Sequence, residues 1–162
     1  MSIWDKYPNY TEAELRDLVA VTAQVLLETE EARTEFPPDL LRLPPGAASR
    51  QLLPVLQDAE PTVERDQIQH VLQDEQLSST VSLQVLGEIR NYPELAARIA
   101  DAYEERENRL AIAESLLLTG ALVVLATRIR KIRWTKDEKE VTFYPAGDAV
   151  KQFLVDLITG GA

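Results

Sequence analysis

Any chemistry in this sequence would have to come from four small groups of residues. His70 is the only histidine; with Asp66 and Asp74 it forms a series at four-residue steps, which on a helix puts all three on one face. His70 and one carboxylate could begin a metal site. The two aspartates, however, are about 12 Å apart by helical rise, too far to share one ion. No His-Glu-x-x-His or Glu-x-x-His pattern accompanies them, so the helical metallohydrolase and di-iron readings lack ligands. A solvated helix face accounts for the trio. Glu28 with Glu31, and Glu104 with Glu107, have the spacing of helical neighbours that serve in acid-base chemistry, but such pairs far more often face solvent. The six glycines form no phosphate-binding loop, nucleophile elbow or dinucleotide fingerprint. With no cysteine there is no thiol nucleophile, thiolate zinc site or disulfide. The expectation is a protein that is not an enzyme and uses no cofactor and no metal.

The fourth group is basic: Arg128, Arg130, Lys131, Arg133 and Lys136. These are the candidate partner-binding residues. Cations so placed could meet phosphates or a membrane surface, or could neutralise the chain's own acidic helices and the negative C-terminal end of a preceding helix. The formal net charge is −10 and the sequence pI about 4.6, which opposes long-range attraction to a polyanion, so nucleic acid is not the expected partner. Another protein is expected instead, an effector or a second copy in a homo-oligomer. The charge is uneven: residues 1–108 hold 21 acidic and 9 basic residues (−12), and residues 109–162 hold 6 and 8 (+2).

The element that must carry the basic run is the stretch from Ser115 to Tyr144. Leu116, Leu117, Leu118, Leu122, Val123, Val124 and Leu125 leave no polar face, and a helix apolar all round is buried in protein or lipid. After it the period changes from helical to two. Ile132 and Trp134 alternate with Lys131 and Arg133, Val141 and Phe143 with Glu140 and Thr142, which predicts a hairpin turning at Asp137-Glu138. Pairing Trp134 with Val141 and Ile132 with Phe143 collects the apolar residues on one face, and a final helix with Val150, Phe153, Leu154, Leu157 and Ile158 would cover it. Asp148 is its expected cap and Gly160-Gly161 its stop.

Upstream, Thr11 and Glu14 have the form of a capping box opening a helix that reaches about Thr34. Its apolar positions are Leu15, Leu18, Val19, Thr22, Val25 and Leu26. Residues 36–47, with two proline pairs, predict a leucine-bearing linker. Helices are expected from Ala48 to Asp58, with Pro54 tolerated only in a first turn or at a kink, and from Thr62 onward. Gln51–Asp58 and Gln67–Asp74 match at five of eight places, too little for a repeat array. Ser78-Ser79-Thr80 is expected to end one helix and cap the next, which carries Val81, Val85, Leu86 and Ile89. Pro93 opens a helix with the stripe Leu95, Ile99, Ala102, Tyr103 and Arg106, and no breaker follows before Gly120.

From Leu116 to Ile158, an apolar helix, basic strand, charged turn, second strand and short helix opening at an aspartate resemble the C-terminal part of small effector-associated components of bacterial conflict (defence) systems. The resemblance covers about the last third. It implies a regulatory accessory protein that works by binding an effector or a regulator.

The expected fold is thus mainly α: a single domain over 1–162, a helical bundle of five or six helices with one C-terminal β-hairpin and a closing helix, residues 128–162 forming a subdomain. The expected function is a non-enzymatic adaptor or regulatory protein. Two alternatives are kept. Leu110 to Thr127, about 27 Å as a helix against a hydrocarbon core of about 30 Å, could insert into a membrane, although Glu114 lies within it. Alternatively, the acidic N-terminal helices could make the chain an inhibitor or immunity protein. The start Met1–Lys6 lacks the basic beginning and apolar run of a secretory signal, so a cytoplasmic location is expected.

Overall fold

The computed structural model describes residues 2–27, 44–105, 122–124, 132–136, 139–143 and 147–160, with backbone alone over the two strands. Mainly helical, it opens with a 3-10 turn at Ile3–Lys6 and continues with α1 (Glu12–Leu27), α2 (Pro45–Ala59), α3 (Arg65–Gln73), α4 (Glu75–Ile89) and α5 (Pro93–Glu104). Strands β1 (Ile132–Lys136) and β2 (Lys139–Phe143) and the helix α6 (Gly147–Thr159) complete it. The strands pair antiparallel, Ile132 opposite Phe143 and Trp134 opposite Val141.

Local chemistry explains where the helices start. Glu14 N–H donates to Thr11 Oγ1 (3.1 Å) and Thr11 N–H to Glu14 Oε1 (3.0 Å), a reciprocal capping box ahead of α1. The far end of that helix, expected near Thr34, lies outside the described residues. So does the linker from 36 to 43, but its last residues are not linker: α2 begins at Pro45 rather than Ala48. Proline fits the first helical position because its fixed φ suits the helix and its missing N–H has no partner there anyway. The earlier start leaves Pro54 inside the helix, neither in its first turn nor near an end. Pro54 and Arg50, whose carbonyl loses its donor, are both exposed, so the unmet acceptor is on the solvent side.

Two further boundaries correct the sequence reading. Helix α3 starts at Arg65, not Thr62, where Glu64 N–H donates to the Gln67 side chain at 2.8 Å. The Ser78-Ser79-Thr80 break does not exist, because α4 runs through it unbroken. Asp74 is the cap, its Oδ1 accepting from Gln76 N–H (2.9 Å) and Leu77 N–H (3.0 Å). Within the helix Thr80 returns its hydroxyl to the Gln76 carbonyl at 2.9 Å, a local bond that makes the residue tolerable mid-helix. Helix α5 has Pro93 in its first turn and ends at Glu104, well short of Gly120. Gly160 follows α6 with φ 67°, the left-handed stop that glycine adopts without strain. Asp148 is the second residue of α6 rather than its cap.

One cluster of buried side chains joins the 3-10 turn to α6. Leu18 and Leu26 from α1, Leu52 and Leu56 from α2, Ile68 and Leu72 from α3, Leu86 and Ile89 from α4, and Leu95 and Ile99 from α5 are its largest members. Each contributes about 1.5–3 kcal/mol through burial. Helix α2 packs on α3, α3 on α4, and α1 chiefly on α5. Of the long apolar stretch, residues 122–124 are described: they are helical and buried. Helix α6 was expected to cover the hairpin. It packs on α2, α3 and α4, because Val150, Leu154 and Val155 find a continuous apolar surface in that helical layer; the hairpin side chains it would cover are not among those described.

Candidate functional site

Of the basic run, Arg133 and Lys136 fall in β1, opposite Thr142 and Lys139 respectively; Arg128, Arg130 and Lys131 lie outside the described residues. The like-charged Lys136–Lys139 pair stands at the turn end of the ribbon, where direct opposition is unfavourable. Glu28, Glu31 and Glu107 also lie outside the described residues, whereas Glu104 is exposed on α5. His70 is exposed on α3, and Asp74 is turned to the start of α4 as its cap, so the trio is not assembled. Among the described residues no group of three metal-ligating side chains occurs, and no helix is long and apolar enough to cross a membrane.

What the structure does assemble is an aromatic clasp. The segment Ser2–Tyr10 lies across α4 and α5 and is tied there by one ring hydroxyl and an indole. Ile3 is buried, Trp4 Nε1 donates to the Ala96 carbonyl at 2.7 Å, and Tyr7 Oη donates to the Leu83 carbonyl at 2.8 Å. The Arg90 guanidinium stands 4.5 Å from the Tyr7 ring centroid, and Tyr10 meets the same ring edge-on at 6.1 Å, both favourable geometries for a π face. A side chain at position 87 would exclude this arrangement. A Cβ built on Gly87 would sit 2.3 Å from Tyr7 Oη and 3.1 Å from its Cζ. Lys6 donates to Glu14, joining the segment to α1; the contact holds the Lys6 amine above its ordinary value and the Glu14 carboxyl below its own.

Burial pushes the Tyr7 hydroxyl up, with Arg90 opposing, and pushes Tyr92 up as well. At Tyr10 the rise reaches about 12. The Tyr10 hydroxyl is buried with no hydrogen-bond partner among the described residues. None of these residues stood out in the sequence. Gly87 inside an apolar helical pattern was the available signal, since an interior helix glycine has a reason to be there, yet it does not say what approaches.

Beside the clasp, a groove of about 800 Å³ opens between the first turns of α1 and those of α4. Leu15 and Val19 form its apolar floor on one side, and Ser78, Ser79 and Ser82 line the other. Ser78 and Ser82 are buried and Ser79 is exposed along this wall, and α1 rests chiefly on α5. Glu12, Arg16, Asp74 and Glu75 edge it. In comparisons with known proteins, no family model matches the chain, and no curated protein or solved structure matches it either.

Proposed function

We propose that this chain is a non-enzymatic interaction protein, an adaptor or regulatory accessory component, that meets another protein through Arg128, Arg130, Lys131, Arg133 and Lys136. The observation carrying this reading is the two-stranded ribbon in which the basic run ends. With β1 and β2 as its two strands, each has one edge without a ladder partner among the described residues. Such an edge presents backbone donors and acceptors that a partner's strand can extend, and the cations select an acidic partner and set its register. The acidic excess before Asn108 keeps the molecule as a whole from collecting on nucleic acid. The resemblance of the last third to effector-associated defence components points the same way, toward an effector or a second copy as the bound protein.

The test is reversal of two charges. Arg130→Glu with Lys131→Glu should lower affinity for the captured partner about tenfold or more while the far-ultraviolet dichroism stays that of the parent chain. Unchanged affinity would remove the basic strand from the function.

A further inference from the structure

We infer that the groove between α1 and α4 binds a linear aliphatic polyamine. The site does not involve the basic run and goes beyond the proposed function. Three observations meet here. The first is charge. Among the residues lining the groove, Glu12, Asp74 and Glu75 are set against one cation, Arg16, so three carboxylates and one guanidinium leave a formal charge of −2. Glu12 and Glu75 are the first residues of their helices and are exposed, and neither has an ion-pair or hydrogen-bond partner among the described residues. The three carboxylates do not converge as metal ligands would, so the cation that suits them is an extended one.

The second is the floor. Ser78 is 4% exposed, and its hydroxyl has no hydrogen-bond partner among the described residues. Unlike the Tyr10 hydroxyl it is not sealed from water, so it opens to the groove that its residue lines. A protonated amine placed there can donate to it. Ser82 beside it is buried and already engaged. A floor so confined admits a slender chain rather than a peptide with its side chains, and Leu15, Val19 and Leu83 give methylenes an apolar track. The third is length. Tyr7 is bonded to the Leu83 carbonyl and meets Tyr10 edge-on, which sets the start of α1 beside Leu83. Glu12 therefore stands toward that end, while Glu75, eight residues before Leu83, is about 12 Å along α4 by helical rise. Carboxylates offset along an apolar track match ammonium groups spaced by methylenes. Aliphatic amines of this kind are protonated at neutral pH, as lysine is.

Calorimetric titration of the full chain with spermidine at low salt tests this. Saturable binding of one spermidine per chain is expected, weakening as salt rises. Glu12→Gln with Glu75→Gln should weaken it about tenfold or more, and Ser78→Ala about threefold. Glu94→Gln with Glu104→Gln, exposed on α5, removes the same charge outside the groove and should leave the affinity within about twofold. Absence of saturable binding overturns the inference. So does an undiminished affinity in the groove variant, or equal weakening by both double variants, which would make spermidine a counterion of the acidic chain as a whole. Should the groove variant lose its helical dichroism, Arg16→Gln serves in its place. Removing the competing cation should tighten binding about threefold, and unchanged or weaker binding overturns the inference.

Discussion

Replacing Gly87 by alanine should destabilise this protein, although in an isolated helix the same change stabilises. An interior Gly→Ala substitution gains about 1 kcal/mol of helix propensity. Here the new methyl would stand 2.3 Å from Tyr7 Oη, and the ring must leave. It would give up its bond to the Leu83 carbonyl, about 1 kcal/mol net. It would also lose the Arg90 contact, about 0.5–1 kcal/mol, and the edge-on Tyr10 contact, about 0.5–1.5 kcal/mol. The losses sum to about 2–3.5 kcal/mol and outweigh the gain, for a net destabilisation of about 1–2.5 kcal/mol. With about 2–4 °C per kcal/mol for a chain of this size, thermal unfolding should move down by about 2–10 °C. In a Tyr7→Ala background there is no ring to displace, so Gly87→Ala should reverse sign and stabilise by up to about 1 kcal/mol. Urea denaturation of the four proteins in that cycle measures the coupling, expected at about 2–3.5 kcal/mol. Equal effects of Gly87→Ala in both backgrounds would refute the idea that the glycine exists to admit the tyrosine.

Other expectations follow from the same region. Tyr10→Phe removes a buried hydroxyl that has no partner among the described residues and should raise stability by about 1 kcal/mol in the same denaturation assay; a loss instead would show that the hydroxyl is bonded. Asp74→Ala deletes the acceptor of two backbone N–H groups at the start of α4 and should lower stability by about 1 kcal/mol, read as a drop of about 2–4 °C in thermal unfolding; no drop would mean that the cap carries nothing. On the alkaline side, Tyr10 is raised from 10.0 to about 12. The folded chain therefore holds a phenolic proton that the unfolded chain has released. The stability this contributes is complete below pH 10 and is lost as pH rises through about 12. Tyrosinate absorbance should accordingly show a late component that merges with the rest in denaturant, and a single ordinary titration would count against the burial.

Features set by neighbours in the chain were the legible ones. The Thr11–Glu14 box needs four residues to form, and the stripe Leu95, Ile99, Ala102, Tyr103 and Arg106 follows from the helical period; its first four members are buried, and Arg106 lies outside the described residues. Misreadings arose where two local signals competed. Ser78-Ser79-Thr80 has the composition of a helix stop, but Asp74 four residues earlier is the stronger cap, and serines inside a helix lose little once buried on a packed face, as Ser78 and Ser82 are. Two proline pairs suggested that the linker runs to 47, whereas the second prolines of such pairs are also good helix openers, and Pro45 is one. The clasp and the groove were not legible, because they are made between segments far apart: Tyr7 meets Leu83 across 76 positions and Trp4 meets Ala96 across 92. No periodicity within either segment encodes such a meeting.

That separation bears on how the chain is made. The residues that dock on α4 and α5 are synthesised long before their receptor. At about 5–20 residues per second, the Trp4 indole waits roughly 5–20 s after leaving the decoding centre before the Ala96 carbonyl has been added. Through that interval the Trp4 indole lacks its acceptor, and the segment has only its own Tyr7–Tyr10 contact and the Lys6–Glu14 pair. A nascent chain held short of Ile89 would present Ile3, Trp4 and Tyr7 to whatever attends the ribosome exit, and release beyond Tyr103 would withdraw them. Docking of this segment thus marks the moment at which the helical half of the molecule is complete.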